Sequence, residues 1–144
     1  MATVAPRFLN VDVEVESSAD LDPLVAVMAR GAFHVANYRR GGRHHVRFEL
    51  ATSPRSADHG IRAFAKLLNR LPPKARRLWN AARRRDFDIG IQAPRRSDSA
   101  ILELSREAVQ LASKLRGRIL FTVYAAGGKG SPSNKRLKLT GARK

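Results

Sequence analysis

The chain is 144 residues long, carries a formal net charge of +16 and contains no cysteine. Disulfides, thiolate metal sites and cysteine nucleophiles are therefore excluded. An apolar content of 43 % suits a folded chain with room for one core, and argues against wholesale disorder.

The charge is unevenly placed. Residues 1–53 carry six basic side chains (Arg7, Arg30, Arg39, Arg40, Arg43, Arg47) against six acids, and so are neutral. Residues 54–126 carry sixteen against six, and residues 127–144 carry six against none. The N-terminus shows no apolar run of signal-peptide length. The stretch Ile119–Ala126 is far short of the ~20 residues needed to span a bilayer. A soluble cytoplasmic protein without a membrane partner is the expectation.

Phe8 to Glu16 alternates strictly, with Leu9, Val11, Val13 and Val15 on one side and Asn10, Asp12, Glu14 and Glu16 on the other. That is a half-buried strand. Ser17 to Asp20 offers cap chemistry for a short helix on Leu21, Leu24, Val25 and Met28, which Gly31 stops. Ala32–Arg39 and His44–Ala51 read as two strands around the hairpin turn Arg40-Gly41-Gly42-Arg43. Ser56 is an N-cap candidate for the amphipathic helix through Ile61, Phe64, Leu68 and Leu71, ended by Pro72-Pro73.

A second helix is expected from Lys74 to about Arg85, followed by a strand with Phe87, Ile89 and Ile91 inward. Pro94–Ser99 reads as a linker. Ile101, Leu104, Ala108, Leu111 and Leu115 trace a late helix, with Gly117 as its C′ residue, and Ile119–Tyr124 is the last strand. The order is β-α-β-β-α(α)-β-α-β. It predicts an α+β domain over residues 7–125 with a ferredoxin-like split βαβ core and an appended helix and strand. The sheet should be mostly antiparallel, with helices on one face and the other open to water. Residues 127–144, with Gly-Gly-Lys-Gly and no apolar period, read as a disordered basic tail.

This order, with Asp20-Leu21-Asp22-Pro23-Leu24 opening the first helix and the stretch Leu102–Leu115 leading into Ile119–Tyr124, resembles a family of small bacterial α/β domains of unknown function. The resemblance covers about residues 7–125 and implies a fold without catalytic residues. The segment Asn134–Gly141 resembles a terminal sequence that recurs on unrelated predicted bacterial reading frames.

The strongest candidate site is basic. Arg70, Lys74, Arg76, Arg77, Arg83, Arg84 and Arg85 fall within sixteen residues that include no acid. On a helix over 74–85, Arg76, Arg77, Arg83 and Arg84 share an arc opposite Ala75, Leu78, Trp79 and Ala82. The pairs Arg76/Arg83 and Arg77/Arg84 then stack roughly 10 Å apart. Such a rail suits successive phosphates; the bland alternative is a solvated helix face whose arginine stems cover apolar surface. Arg95-Arg96 and Arg116/Arg118 would extend the field, and Lys135-Arg136-Leu137-Lys138 offers a basic arm. Trp79 is assigned to the core.

The polar strand face (Asn10, Asp12, Glu14, Glu16, His45, Arg47, Glu49, Asp88, Gln92) is expected to be tied by cross-strand ion pairs, with Arg47 opposite an acid. With Tyr124 as its only aromatic candidate, it lacks the base-stacking surface of RNA-recognition sheets. His34, His44, His45 and His59 lack metal-site spacing. No phosphate loop, nucleophile–base pair or cofactor motif is present. The expectation is a non-enzymatic binding module that meets nucleic acid or an acidic protein surface. The alternative is a protein-interaction or immunity-type domain with incidental charge.

Overall fold

In the computed structural model, residues 7–95 and 99–126 are described. The expected basic tail and Arg96 lie outside them. The elements are β1 (Arg7–Ser17), α1 (Asp22–Met28), β2 (Ala32–Arg40), β3 (Arg43–Leu50), α2 (Ala57–Leu68), α3 (Pro73–Ala81), β4 (Arg84–Gln92), α4 (Arg106–Lys114) and β5 (Arg118–Tyr124). They form an α+β fold on one five-stranded sheet of order β2-β3-β1-β4-β5. β1 lies antiparallel between β3 and β4, β2 is antiparallel to β3, and only β5 runs parallel to its neighbour.

The alternation in β1 decides where the core sits. Val11, Val13 and Val15 are buried with Val46, Phe48, Phe87 and Ile89 from the neighbouring strands. The helices cover that face through Leu24 and Met28 (α1), Ile61, Phe64 and Leu68 (α2), Trp79 (α3) and Ala108 and Ala112 (α4). Full burial of each large side chain contributes roughly 1.5–3 kcal/mol. The Trp79 indole N–H donates to the Leu115 carbonyl at 3.0 Å, so the core accommodates its polar atom and joins α3 to the end of α4.

Local chemistry sets the boundaries. Gly41 and Gly42 both take positive φ (58° and 74°), as a two-residue hairpin turn matched to strand twist requires. Ser56 caps α2 by accepting from the His59 amide at 3.1 Å. Ahead of α1 the cap position is Leu21, without a side-chain hydrogen bond; Asp20 instead accepts from the Asp22 amide at 2.9 Å. The late helix is shorter than its apolar period suggested. Ser105 caps it by accepting from the Ala108 amide, while its own amide donates to Asp58 of α2 at 2.9 Å. That anchoring fixes the start of α4 and leaves Leu102 and Leu104 packed on the core ahead of it.

The end of α4 also differs from expectation. The left-handed residue is Arg116 (φ 61°), not Gly117. The Arg116 amide donates to Ser113 and the Gly117 amide to Ala112, both at 2.9 Å, closing a Schellman motif around Arg116. Gly117 has a different reason to be glycine: a Cβ there would stand 2.4 Å from the Phe87 ring.

Candidate anion site at one end of the sheet

The expected helix over 74–85 does not form as such. α3 ends at Ala81, Ala82 is extended, and the chain turns into β4 at Arg84. The physical reason lies in tertiary hydrogen bonding. The Arg83 amide donates to the Glu16 carbonyl at 2.8 Å, and Arg84 and Arg85 then pair with Glu16 and Val15 of β1. The four-arginine rail is therefore broken. Arg77 stays on α3, and the Arg76 guanidinium donates to the Leu68 and Asn69 carbonyls at the end of α2. Lys74 and Arg70 are exposed near the start of α3, while Arg83 lies in the turn before β4 and Arg84 opens that strand.

What replaces the rail is a cluster at one end of the sheet. Arg43 begins β3 beside the hairpin, Arg84 and Arg85 begin β4, Arg118 begins β5, and Arg116 sits in the turn before it. With Arg83 and the end of β1 at Glu16, these residues line a cavity of about 410 Å³. Of the six arginines, Arg83, Arg84 and Arg85 come from the expected basic stretch, and Arg43 was not expected in the site. Arg116 and Arg118 do join the field as expected; Arg95 follows the opposite end of β4 and does not.

The electrostatics are those of too few acids among many cations. The Glu16 carboxylate, on a residue only 7 % exposed, accepts from Arg43 Nη1 at 2.8 Å. Arg84 Nη2 stands 3.4 Å and Arg83 Nε 4.0 Å from it. The hydrogen bond from Arg43 chiefly, with the field of Arg84 and His45, holds the Glu16 carboxyl below its ordinary range against the opposing effect of burial. Asp86, 1 % exposed, is gripped by Arg118 through two contacts of 2.8 and 3.1 Å, which raises the arginine's pKa.

Arg84 Nε lies 3.1 Å from Asp86 Oδ2, close enough for an ion pair yet misaligned, and this buried N–H makes no hydrogen bond. Arg85 donates to the Trp79, Ala82 and Arg116 carbonyls at 2.9, 2.6 and 3.0 Å, capping the end of α3. Burial first, then the adjacent Arg116 charge, lowers its pKa.

The polar sheet face is less open than expected. Besides Glu16 and Asp86, Asp12 is only 1 % exposed, because arginine side chains lie across the strands. The expected ion pairing is present: Arg47 meets Glu14, and Asp12 at 3.5 Å. The face also carries more aromatic surface than Tyr124 alone. Tyr38 of β2 is opposite His45, and the two rings stack at 4.9 Å with planes 8° apart. Since His45 is opposite Glu16, that pair is one strand from the arginine cavity. Phe33, opposite Glu49, is half exposed. The phase of β2 was unreadable because a bulge between His34 and Ala36 interrupts its alternation.

Among the described residues no three His, Asp or Glu are grouped to hold a metal ion, and no helix is long and apolar enough to cross a membrane. Compared with family models, curated proteins and solved structures, the chain matches none of them.

Proposed function

We propose that the protein is a binding module for single-stranded nucleic acid, with the phosphates meeting the arginine cavity and a base meeting the Tyr38–His45 pair beside it. The observation that carries this reading is the convergence of Arg43, Arg83, Arg84, Arg85, Arg116 and Arg118 on one cavity lined by a single acid, Glu16. Like charges crowded in this way repel one another, and an anion shared among them relieves that repulsion. Guanidinium forks suit phosphate oxygens through paired charge-assisted hydrogen bonds. An aromatic pair next to a cationic cavity is the combination that lets a single strand stack a base while its backbone is held.

The test is a titration of the full chain with single-stranded and duplex oligonucleotides. Arg43→Gln with Arg83→Gln is expected to weaken both by about tenfold or more. Tyr38→Ala is expected to weaken the single strand and leave the duplex unchanged. Unaltered affinity in the double arginine variant contradicts the reading.

We also read the elements from β1 through β4 as a ferredoxin-like split βαβ core. β1 and β2 run in the same direction with β3 between them, which supports it; β5 beyond β4 makes the full five-strand order a different one.

One observation favours a protein partner instead. β5 is an edge strand with Phe121 and Val123 at 50 % and 62 % exposure, a surface that suits an added strand. Sedimentation of the pure chain over a range of concentrations tests one form of it. Self-association abolished by Val123→Lys would support pairing at this edge; a monomer throughout would refute self-pairing.

A further inference from the structure

Resting on the nucleic-acid reading, we propose that the arginine cavity is the seat of a terminal phosphate monoester, the phosphorylated end of a strand, and that Glu16 is the internal anion it displaces. The geometry distinguishes an end from a backbone. Successive diesters each carry one charge and call for cations spread along a line, which is the rail this fold does not build. Here the guanidinium groups come from the starts of β3, β4 and β5, the turn before β4 and the turn after α4, and they surround one cavity. A monoester brings a charge of about −1.5 to −2 and three acceptor oxygens to a single point.

The wall holds unused capacity for such a group. Glu16 is the acid that faces Arg43, Arg83 and Arg84 together, with distances growing from 2.8 to 4.0 Å. Arg116 has no acidic partner among the described residues, and its charge presses on Arg85. The Arg84 Nε–H is buried and stands 3.1 Å from Asp86 Oδ2 without a well-aligned hydrogen bond. The arriving phosphate takes the contacts Glu16 now holds, so the carboxylate opposes entry through its charge. Glu16→Gln removes that charge with little change of shape and tightens binding.

The test uses three single-stranded oligonucleotides of one sequence, carrying a 5′-phosphate, a 3′-phosphate or neither, titrated by fluorescence anisotropy against the full chain. At least one phosphorylated form is expected to bind about tenfold tighter than the form with neither. Glu16→Gln is expected to tighten all three severalfold. Arg116→Gly is expected to remove most of the discrimination; because glycine suits the left-handed backbone there, an unchanged or raised melting temperature separates that loss from misfolding. Equal affinity for all three oligonucleotides overturns the terminal site and leaves the nucleic-acid reading standing. Weaker binding by a folded Glu16→Gln variant overturns the displacement. Binding of none of the three overturns both readings.

Discussion

Arg116 holds a backbone conformation that its side chain does not favour, so the position lets folding and binding be separated. Its φ is 61°, and two hydrogen bonds of 2.9 Å, from its own amide and from that of Gly117, hold the turn in place. A side chain in the left-handed region costs roughly 1–2 kcal/mol relative to glycine. Glycine in turn loses about 0.5–1 kcal/mol through the greater freedom of its unfolded chain. Arg116→Gly should therefore stabilise the fold by about 0.5–1 kcal/mol, and removing the charge beside Arg85 acts in the same direction. For a domain of this size that is an upward shift in melting temperature of about 2–4 °C by circular dichroism. The Arg85 hydrogen bond to the residue 116 carbonyl is a backbone contact and survives. A melting temperature that falls would refute the reasoning, since it would mean the Arg116 side chain contributes more to folding than its backbone strain removes.

Gly117→Ala should act oppositely on the next residue. Its Cβ would press on the fully buried Phe87 ring, and overpacking of this kind costs about 1–3 kcal/mol, visible as a lower urea midpoint. Trp79→Phe removes the indole donor from the Leu115 carbonyl in the core, and an unpaired buried acceptor costs about 1–3 kcal/mol; a midpoint unchanged from the parent would contradict that bond's role. Because folding lowers the Glu16 pKa, its contribution is present above the unfolded value of ~4.3 and is lost as pH falls through the lower folded value. Glu16→Gln should flatten that acid limb of stability against pH, and an acid limb as steep as the parent's would exclude Glu16 as its source.

Most of the architecture was legible because the strands report their own faces. The alternation of Val11, Val13 and Val15 with Asp12, Glu14 and Glu16 sorts core from polar face before any partner is known. The cap at Ser56, the hairpin glycines and the burial of Trp79 were equally local signals. The candidate site was only partly legible, for a physical reason that recurs in each correction. Arg83 and Arg84 follow a helical period with no local stop signal as strong as proline, and only contacts with β1 draw them off it, the Arg83 amide to the Glu16 carbonyl and Arg84 into strand pairing. Glu16 and Asp86 lie far in sequence from most of the arginines they meet, so spacing along α3 could not reveal them. Arg43 and Arg118 come to the cavity through strand order, which no single segment encodes.

The measurement that bears most directly on the arginine cavity is the salt dependence of single-strand binding by the full chain. In single strands the logarithm of affinity falls with that of salt by about 0.7 for each phosphate neutralised. Combining Arg43→Gln, Arg83→Gln and Arg116→Gly should make the slope shallower by about 0.7 for each phosphate that the three cations neutralise. Replacing Arg70, Lys74 and Arg77, which line no part of the cavity, should leave it unchanged. A slope that the cavity substitutions do not alter, or that the α3-side substitutions reduce equally, would contradict the account.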